Sequence, residues 1–187
     1  TIMDQAEKLS IADKLNILVV SDHGMTEVHP AQVIDLSVYT DLSDVTTAGA
    51  GPIVFLSSNS RKRLTVVYDD LQQLPNAQVY WKRDIPERWH YRDHERIPDV
   101  LIVAEEGWTL MPMGHGTGMP KGDHGYDNEL TSMQAIFVAD GPAFKSGYSR
   151  EVFENIHIYP LLALILGLEP YAEIDGYLDA VKDLLAD

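Results

Sequence analysis

At 187 residues, with 45% hydrophobic and 23% charged residues, the chain has the size and make-up of a globular domain with one core, unlike disordered or fibrous sequences. A formal net charge of −15 argues against generic DNA or RNA binding, because nucleic-acid binders gather Lys and Arg on one face, and it means that phosphate chemistry would need local cations to reverse the sign. Without cysteine there are no disulfides and no thiolate ligands, so a transition-metal site has to be built from His, Asp and Glu.

Ile2, Ala6, Leu9 and Ile11 recur at roughly helical spacing and predict an amphipathic helix ending before Asn16. Residues 1–10 lack the basic and apolar regions of a signal peptide, and a chain that opens on Thr1 within a helix reads as a piece of something longer. Residues 17–20 form a wholly apolar run that predicts a strand buried on both faces, as in a parallel sheet, and the run stops at Ser21-Asp22-His23-Gly24. Similar runs at 53–56, 64–67, 100–103 and 135–138 predict further strands between loops rich in Gly, Pro and Asp. Residues 107–125 carry neither helical nor strand periodicity and predict a long loop, the kind of segment that often serves a site. Residues 152–166, closed by Gly167, and residues 177–185 predict helices that cover the sheet. The apolar run 161–168 is far short of the roughly 20 residues a membrane span needs. The fold class is α/β.

Asp22 and His23 stand where a strand ends and a glycine lets the backbone turn, a position where α/β sheets present ligand-binding groups. Carboxylate oxygen and imidazole nitrogen are both good zinc donors; the plainer reading is that Asp22 caps a turn and His23 packs locally. The triplet returns as Asp123-His124-Gly125, just upstream of another apolar run. Two such clusters on loops at strand ends are what a two-metal site would need to clamp a phosphoryl group between ions about 4 Å apart.

Ser21-Asp22-His23-Gly24-Met25 and Gly122-Asp123-His124-Gly125-Tyr126-Asp127-Asn128 match two motifs of the nucleotide pyrophosphatase/phosphodiesterase family of the alkaline phosphatase superfamily. Arg96-Ile97-Pro98, Glu106-Gly107-Trp108, Met133, Gly141-Pro142 and Phe144 follow the family's order, so the chain resembles the C-terminal portion of that catalytic domain over most of residues 17–147. The resemblance implies part of an alkaline-phosphatase-like mixed sheet flanked by helices, with residues 1–187 as the C-terminal portion of the domain. It further implies zinc-dependent hydrolysis of phosphodiester or pyrophosphate bonds in nucleotide or related small substrates. Of two Zn2+ ions, Asp22 and His23 would bind one and His124 the other. Asp123 takes a supporting or structural place, since the family varies there. His115 matches no motif, and His29, His90, His94 and His157 are expected to be surface or packing residues.

The family's Thr or Ser nucleophile and its further Asp and His ligands lie in motifs that would precede Thr1, so this chain alone is expected to bind zinc weakly and turn over little. Two other functions stay open: an inert metal-binding or scaffold fragment, and a phosphomonoesterase or phosphonate hydrolase of the same superfamily, against which the Gly-Tyr-Asp-Asn extension argues. The family resemblance alone suggests an extracellular, cell-surface or periplasmic location. The lack of cysteine departs from the disulfide-bearing animal members, and no N-glycosylation sequon is present. Oligomeric state is not legible.

Overall fold

The computed structural model describes residues 1–114 and 120–186, with Ile2 and Met3 described through their backbone only. His115 therefore lies outside the described residues. In chain order the elements are α1 (Ile2–Ala6), β1 (Ile17–Val20), β2 (Thr26–Glu27), β3 (Val33–Asp35), β4 (Thr46–Ala48), β5 (Ile53–Ser57), α2 (Arg61–Leu71), β6 (Ala77–Trp81), β7 (Val100–Ala104), β8 (Thr109–Met111), β9 (Gly122–Asp123), β10 (Phe137–Asp140) and α3 (Ile158–Ile165), joined by short 3-10 turns and loops. The chain divides into two compact units, one of residues 1–22 and 135–187, the other of residues 23–134. The single core expected from length is accordingly split.

The unit of residues 23–134 is built on a four-stranded sheet in the order β4-β5-β7-β6, antiparallel throughout. Strand alternation sends Val54 and Leu56 of β5, with Val100, Ile102 and Ala104 of β7, into one core shared with Leu64, Val67 and Leu71 of α2. Leu101 and Val103 of β7 turn to the opposite face and join Ile85. With both faces covered, all five residues of β7 are buried, which is why its sequence reads as an unbroken apolar run. Each large aliphatic side chain so buried contributes about 1.5–3 kcal/mol. Two small pairings complete the unit: β3 with β8 in parallel, and β2 with β9 in antiparallel register.

The strand expected at 64–67 is part of helix α2 instead. Leu64, Val67 and Leu71 are its buried positions, an i, i+3, i+7 stripe, while Thr65 and Val66 face out. The Ser60 side chain caps the helix by accepting from the Arg63 amide at 3.3 Å. A four-residue apolar window holds too little of the stripe to reveal its period. The loop expected over 107–125 likewise contains β8 and β9, each too short to show a period.

In the unit of residues 1–22 and 135–187, β1 pairs antiparallel with β10, with Val20 opposite Phe137 and Leu18 opposite Ala139. The strand at 17–20 occurs where expected, but it is antiparallel and not buried on both faces: Val19 and Val20 are 51% and 49% exposed. Strand 135–138 begins two residues late, at Phe137. Leu18, Phe137 and Ala139 pack on the core of Phe144, Leu161 and Val181. Gly141, at φ +131°, is required there, since a Cβ would stand 2.3 Å from the Leu15 carbonyl oxygen.

The helix expected up to Asn16 is the short α1 followed by a 3-10 turn at Ala12–Lys14, and Leu9 and Ile11 are exposed. The helix expected over 152–166 is restricted to α3 and a preceding 3-10 turn, Asn155–His157. The one expected over 177–185 is two 3-10 turns broken at Val181, whose backbone leaves helical geometry at φ −134°, ψ 5° while its side chain is fully buried. No helix among the described residues is long and apolar enough to cross a membrane.

Candidate active site

The two Asp-His-Gly motifs come to the same end of the β2/β9 ladder. Thr26 pairs with Asp123 and Glu27 with Gly122, so the residues just before β2 and just after β9 emerge side by side. His23 and His124 meet there: their rings are 3.6 Å apart, centroid to centroid, and within 13° of parallel. His23 is half-buried and His124 exposed. The Nδ1 of His23 lies 2.7 Å from the carbonyl oxygen of Gly24, which can only accept. The neutral ring therefore carries its proton on Nδ1 and its lone pair on Nε2, the tautomer that second-sphere hydrogen bonds impose on metal-binding histidines. Asp22, exposed, is the residue bonded directly to His23 and closes the other unit.

Close packing fixes the first motif. Gly24 donates its N–H to the Met133 carbonyl at 3.0 Å, and a Cβ on it would fall 2.0 Å from the Ser132 carbonyl oxygen. Glu106 ties the same region from another side, accepting from the hydroxyls of Ser132 and Thr26; these bonds hold its carboxyl below the usual carboxylate range, Ser132 having the larger effect. In the sequence Glu106 stands only as a family landmark, and nothing there marks its partners.

The second motif is anchored residue by residue. One Asp123 oxygen accepts from the His124 amide at 2.9 Å, and the other lies 2.9 Å from where a Cβ on Gly51 would stand. Tyr126, 5% exposed, donates its hydroxyl to the Trp108 carbonyl at 2.9 Å. Burial, then the negative charges of Asp123 and Glu106, push its phenol up to about 12. Arg88 forks onto both Asp127 oxygens at 2.7 and 2.5 Å and reaches Asn128 Oδ1 at 2.5 Å. Its guanidinium holds the Asp127 carboxyl below the usual range against the opposing effect of burial. Arg88 escapes sequence reading because it is 39 residues from Asp127 and belongs to no motif.

Of the three residues expected to hold metal, His23 and His124 are brought together, with Asp22 adjacent in sequence to the first. Among the described residues no group of three or more His, Asp or Glu is placed to share one ion. The donors present thus suit a zinc ion in kind and tautomer and amount to part of a ligand set.

The family model for type I phosphodiesterase / nucleotide pyrophosphatase matches residues 1–127. The bis(5'-adenosyl)-triphosphatase ENPP4 of Mus musculus is 38% identical over 180 residues, covering 96% of this chain and 38% of that protein. Ectonucleotide pyrophosphatase/phosphodiesterase family member 5 of Homo sapiens is 35% identical over 185 residues, covering 98% and 38%. Among solved structures, human ENPP5 superposes with a TM-score of 0.90 at 34% identity, covering 100% of this chain and 49% of that one. A murine ENPP5, described as an inactive Thr-to-Ala variant in complex with AMP, gives 0.89 at 34%, covering 99% and 49%. The chain spans about two-fifths of the curated relatives' length and about half of the solved ENPP5 chains. Its fold is the alkaline-phosphatase-like α/β fold of ENPP5 over that portion. With the motifs, the likeness over nearly the whole chain and the family match agreeing, the chain belongs to the type I phosphodiesterase / nucleotide pyrophosphatase family.

Proposed function

We propose that the protein hydrolyses phosphodiester or pyrophosphate bonds in small nucleotide substrates with two zinc ions, Asp22 and His23 holding one and His124 the other. The observation that carries the reading is the near-parallel pair of imidazoles from two separate motifs, 3.6 Å apart. Two imidazoles so placed bring one nitrogen donor from each motif to the same spot, as a two-metal phosphoryl-transfer site requires. When bound, zinc supplies Lewis-acid polarisation of a phosphoryl oxygen and activation of a hydroxyl nucleophile at neutral pH.

This chain's own residues orient the donors. The Gly24 carbonyl sets the His23 tautomer, Asp123 fixes the His124 backbone, and Arg88 and Tyr126 pin the segment that follows. The Thr or Ser nucleophile and the remaining Asp and His ligands come from outside these 187 residues. The inactive Thr-to-Ala form of murine ENPP5 supports a threonine in that role, and its bound AMP, with the triphosphatase name of ENPP4, supports a nucleotide substrate. The "ectonucleotide" name of the human relative supports an extracellular or cell-surface location.

The test is zinc content and hydrolysis of the p-nitrophenyl ester of thymidine 5'-monophosphate, on the full-length protein and on this chain. The full-length protein should hold about two zinc ions and turn over, losing activity in Asp22→Ala and His124→Ala, while this chain binds zinc weakly and is inactive. Undiminished turnover in His124→Ala would overturn the assignment.

A further inference from the structure

His124 and its neighbours adjoin one end of the four-stranded sheet, where Gly125 approaches Pro52 and Ile53 at the start of β5, opposite Val103 of β7. Trp81 and Asp99 mark the other end of β7, about 13 Å away along the strand. A cavity of about 440 Å³ opens there, within the range of small-ligand sites. Arg61, Lys82, Arg83 and Arg92 line it around Trp81, and it shares no residue with the histidine motifs. Four of the chain's 14 Lys and Arg residues thus converge on one cavity of a protein whose net charge is −15, so the local field opposes the global one.

The cations are held in place but only partly neutralised. Arg61 lies 3.9 Å over the Trp81 ring, which itself stacks on Tyr68, and the Lys82 ammonium donates to the His94 carbonyl. Neither contact cancels charge. Two carboxylates, Asp93 and Asp99, also line the cavity. The ion pairs of Arg83 with Asp84 and of Arg92 with Glu87 and Asp93 span 3.5, 3.4 and 3.8 Å, against 2.5 Å for the closest contact of the Arg88–Asp127 pair. Asp84 and Glu87 are 52% and 85% exposed, so these are surface pairs that an incoming polyanion can replace. Planar guanidinium groups suit phosphate oxygens, and several cations around a small cavity suit an anion with more than one charge.

We propose that this cavity is a second anion site, which takes a compact phosphate-bearing anion of about the size of pyrophosphate. It does not depend on the function proposed above, because none of its residues is a candidate metal ligand.

The experiment is a titration of the 187-residue chain with sodium pyrophosphate in EDTA at fixed ionic strength, followed by calorimetry and by backbone amide NMR. EDTA keeps metal-borne phosphate off the histidine motifs. Saturable binding is expected, with amide shifts at Trp81, Lys82, Arg83 and Arg92, the same affinity in His124→Ala, and an affinity weakened about tenfold in the double variant Lys82→Gln/Arg83→Gln. The amide map of the unsubstituted chain gives an answer even where a variant fails to fold. No saturable binding, shifts centred on His124, or unchanged affinity in the folded double variant would overturn the proposal.

Discussion

Replacing Gly24 by alanine separates close packing from loop tolerance at the first motif. The added Cβ would stand 2.0 Å from the Ser132 carbonyl oxygen, 2.9 Å from the Ser132 carbonyl carbon and 2.9 Å from the Gln134 carbonyl oxygen, where comfortable carbon contacts are about 3.5–4.0 Å. All three atoms are backbone, so no side chain can swing aside. Residues 132–134 or the Gly24 turn must move by more than an ångström, and either movement breaks the 3.0 Å bond from the Gly24 amide to the Met133 carbonyl. Overpacking costs about 1–3 kcal/mol and the lost bond about 1 kcal/mol, so a destabilisation of about 2–4 kcal/mol follows. His23 should respond too, because the Gly24 carbonyl is its Nδ1 partner. Guanidinium unfolding followed by tryptophan fluorescence measures the first effect, and the His23 imidazole resonance the second. Stability within about 0.5 kcal/mol of the parent and an unmoved His23 resonance would refute the argument.

Arg88→Ala should cost only about 1 kcal/mol, because the pair with Asp127 is partly exposed and solvent-screened. Asp127 is depressed in the folded state, so its contribution is present above the unfolded carboxylate value near pH 4 and lost as pH falls through the folded value; the variant's deficit should shrink on acidification below about pH 4, read from denaturation curves across pH. Tyr126→Phe should cost about 1 kcal/mol by leaving the Trp108 carbonyl without its donor, measurable by thermal melting. With the Tyr126 phenol raised to about 12, the folded state loses stability as pH climbs from about 10 toward that value, and ultraviolet titration of the folded protein should lose a late-ionising phenol in Tyr126→Phe. Gly51→Ala should destabilise by about 1–2 kcal/mol, since it combines a left-handed φ of +96° with pressure on Asp123, and the His124 amide signal should shift with it.

The sequence announced this fold best where a residue's environment repeats along the chain. β5 and β7 were recognisable because burial on both faces demands an uninterrupted apolar run, and β7 meets that demand at every position. The same logic misread 64–67, where an amphipathic helix places Leu64, Thr65, Val66 and Val67 in succession and only Leu71 reveals the turn. β2 and β9 have two residues each, and no period can show in two; yet their ladder is what sets His23 beside His124. The site's donors were legible from motif chemistry. Their supports were not: Arg88 to Asp127, Glu106 to Ser132 and Gly51 to Asp123 are contacts across 26 to 72 residues of chain, with no local pattern to mark them.

The most direct test of the account is a zinc titration of this chain followed by imidazole 1H–15N NMR of all seven histidines. The account predicts that His23, through Nε2, and His124 shift together while His29, His90, His94 and His157 stay in place. Zinc shifts spread over those four, with His23 and His124 unmoved in a folded chain, would contradict it.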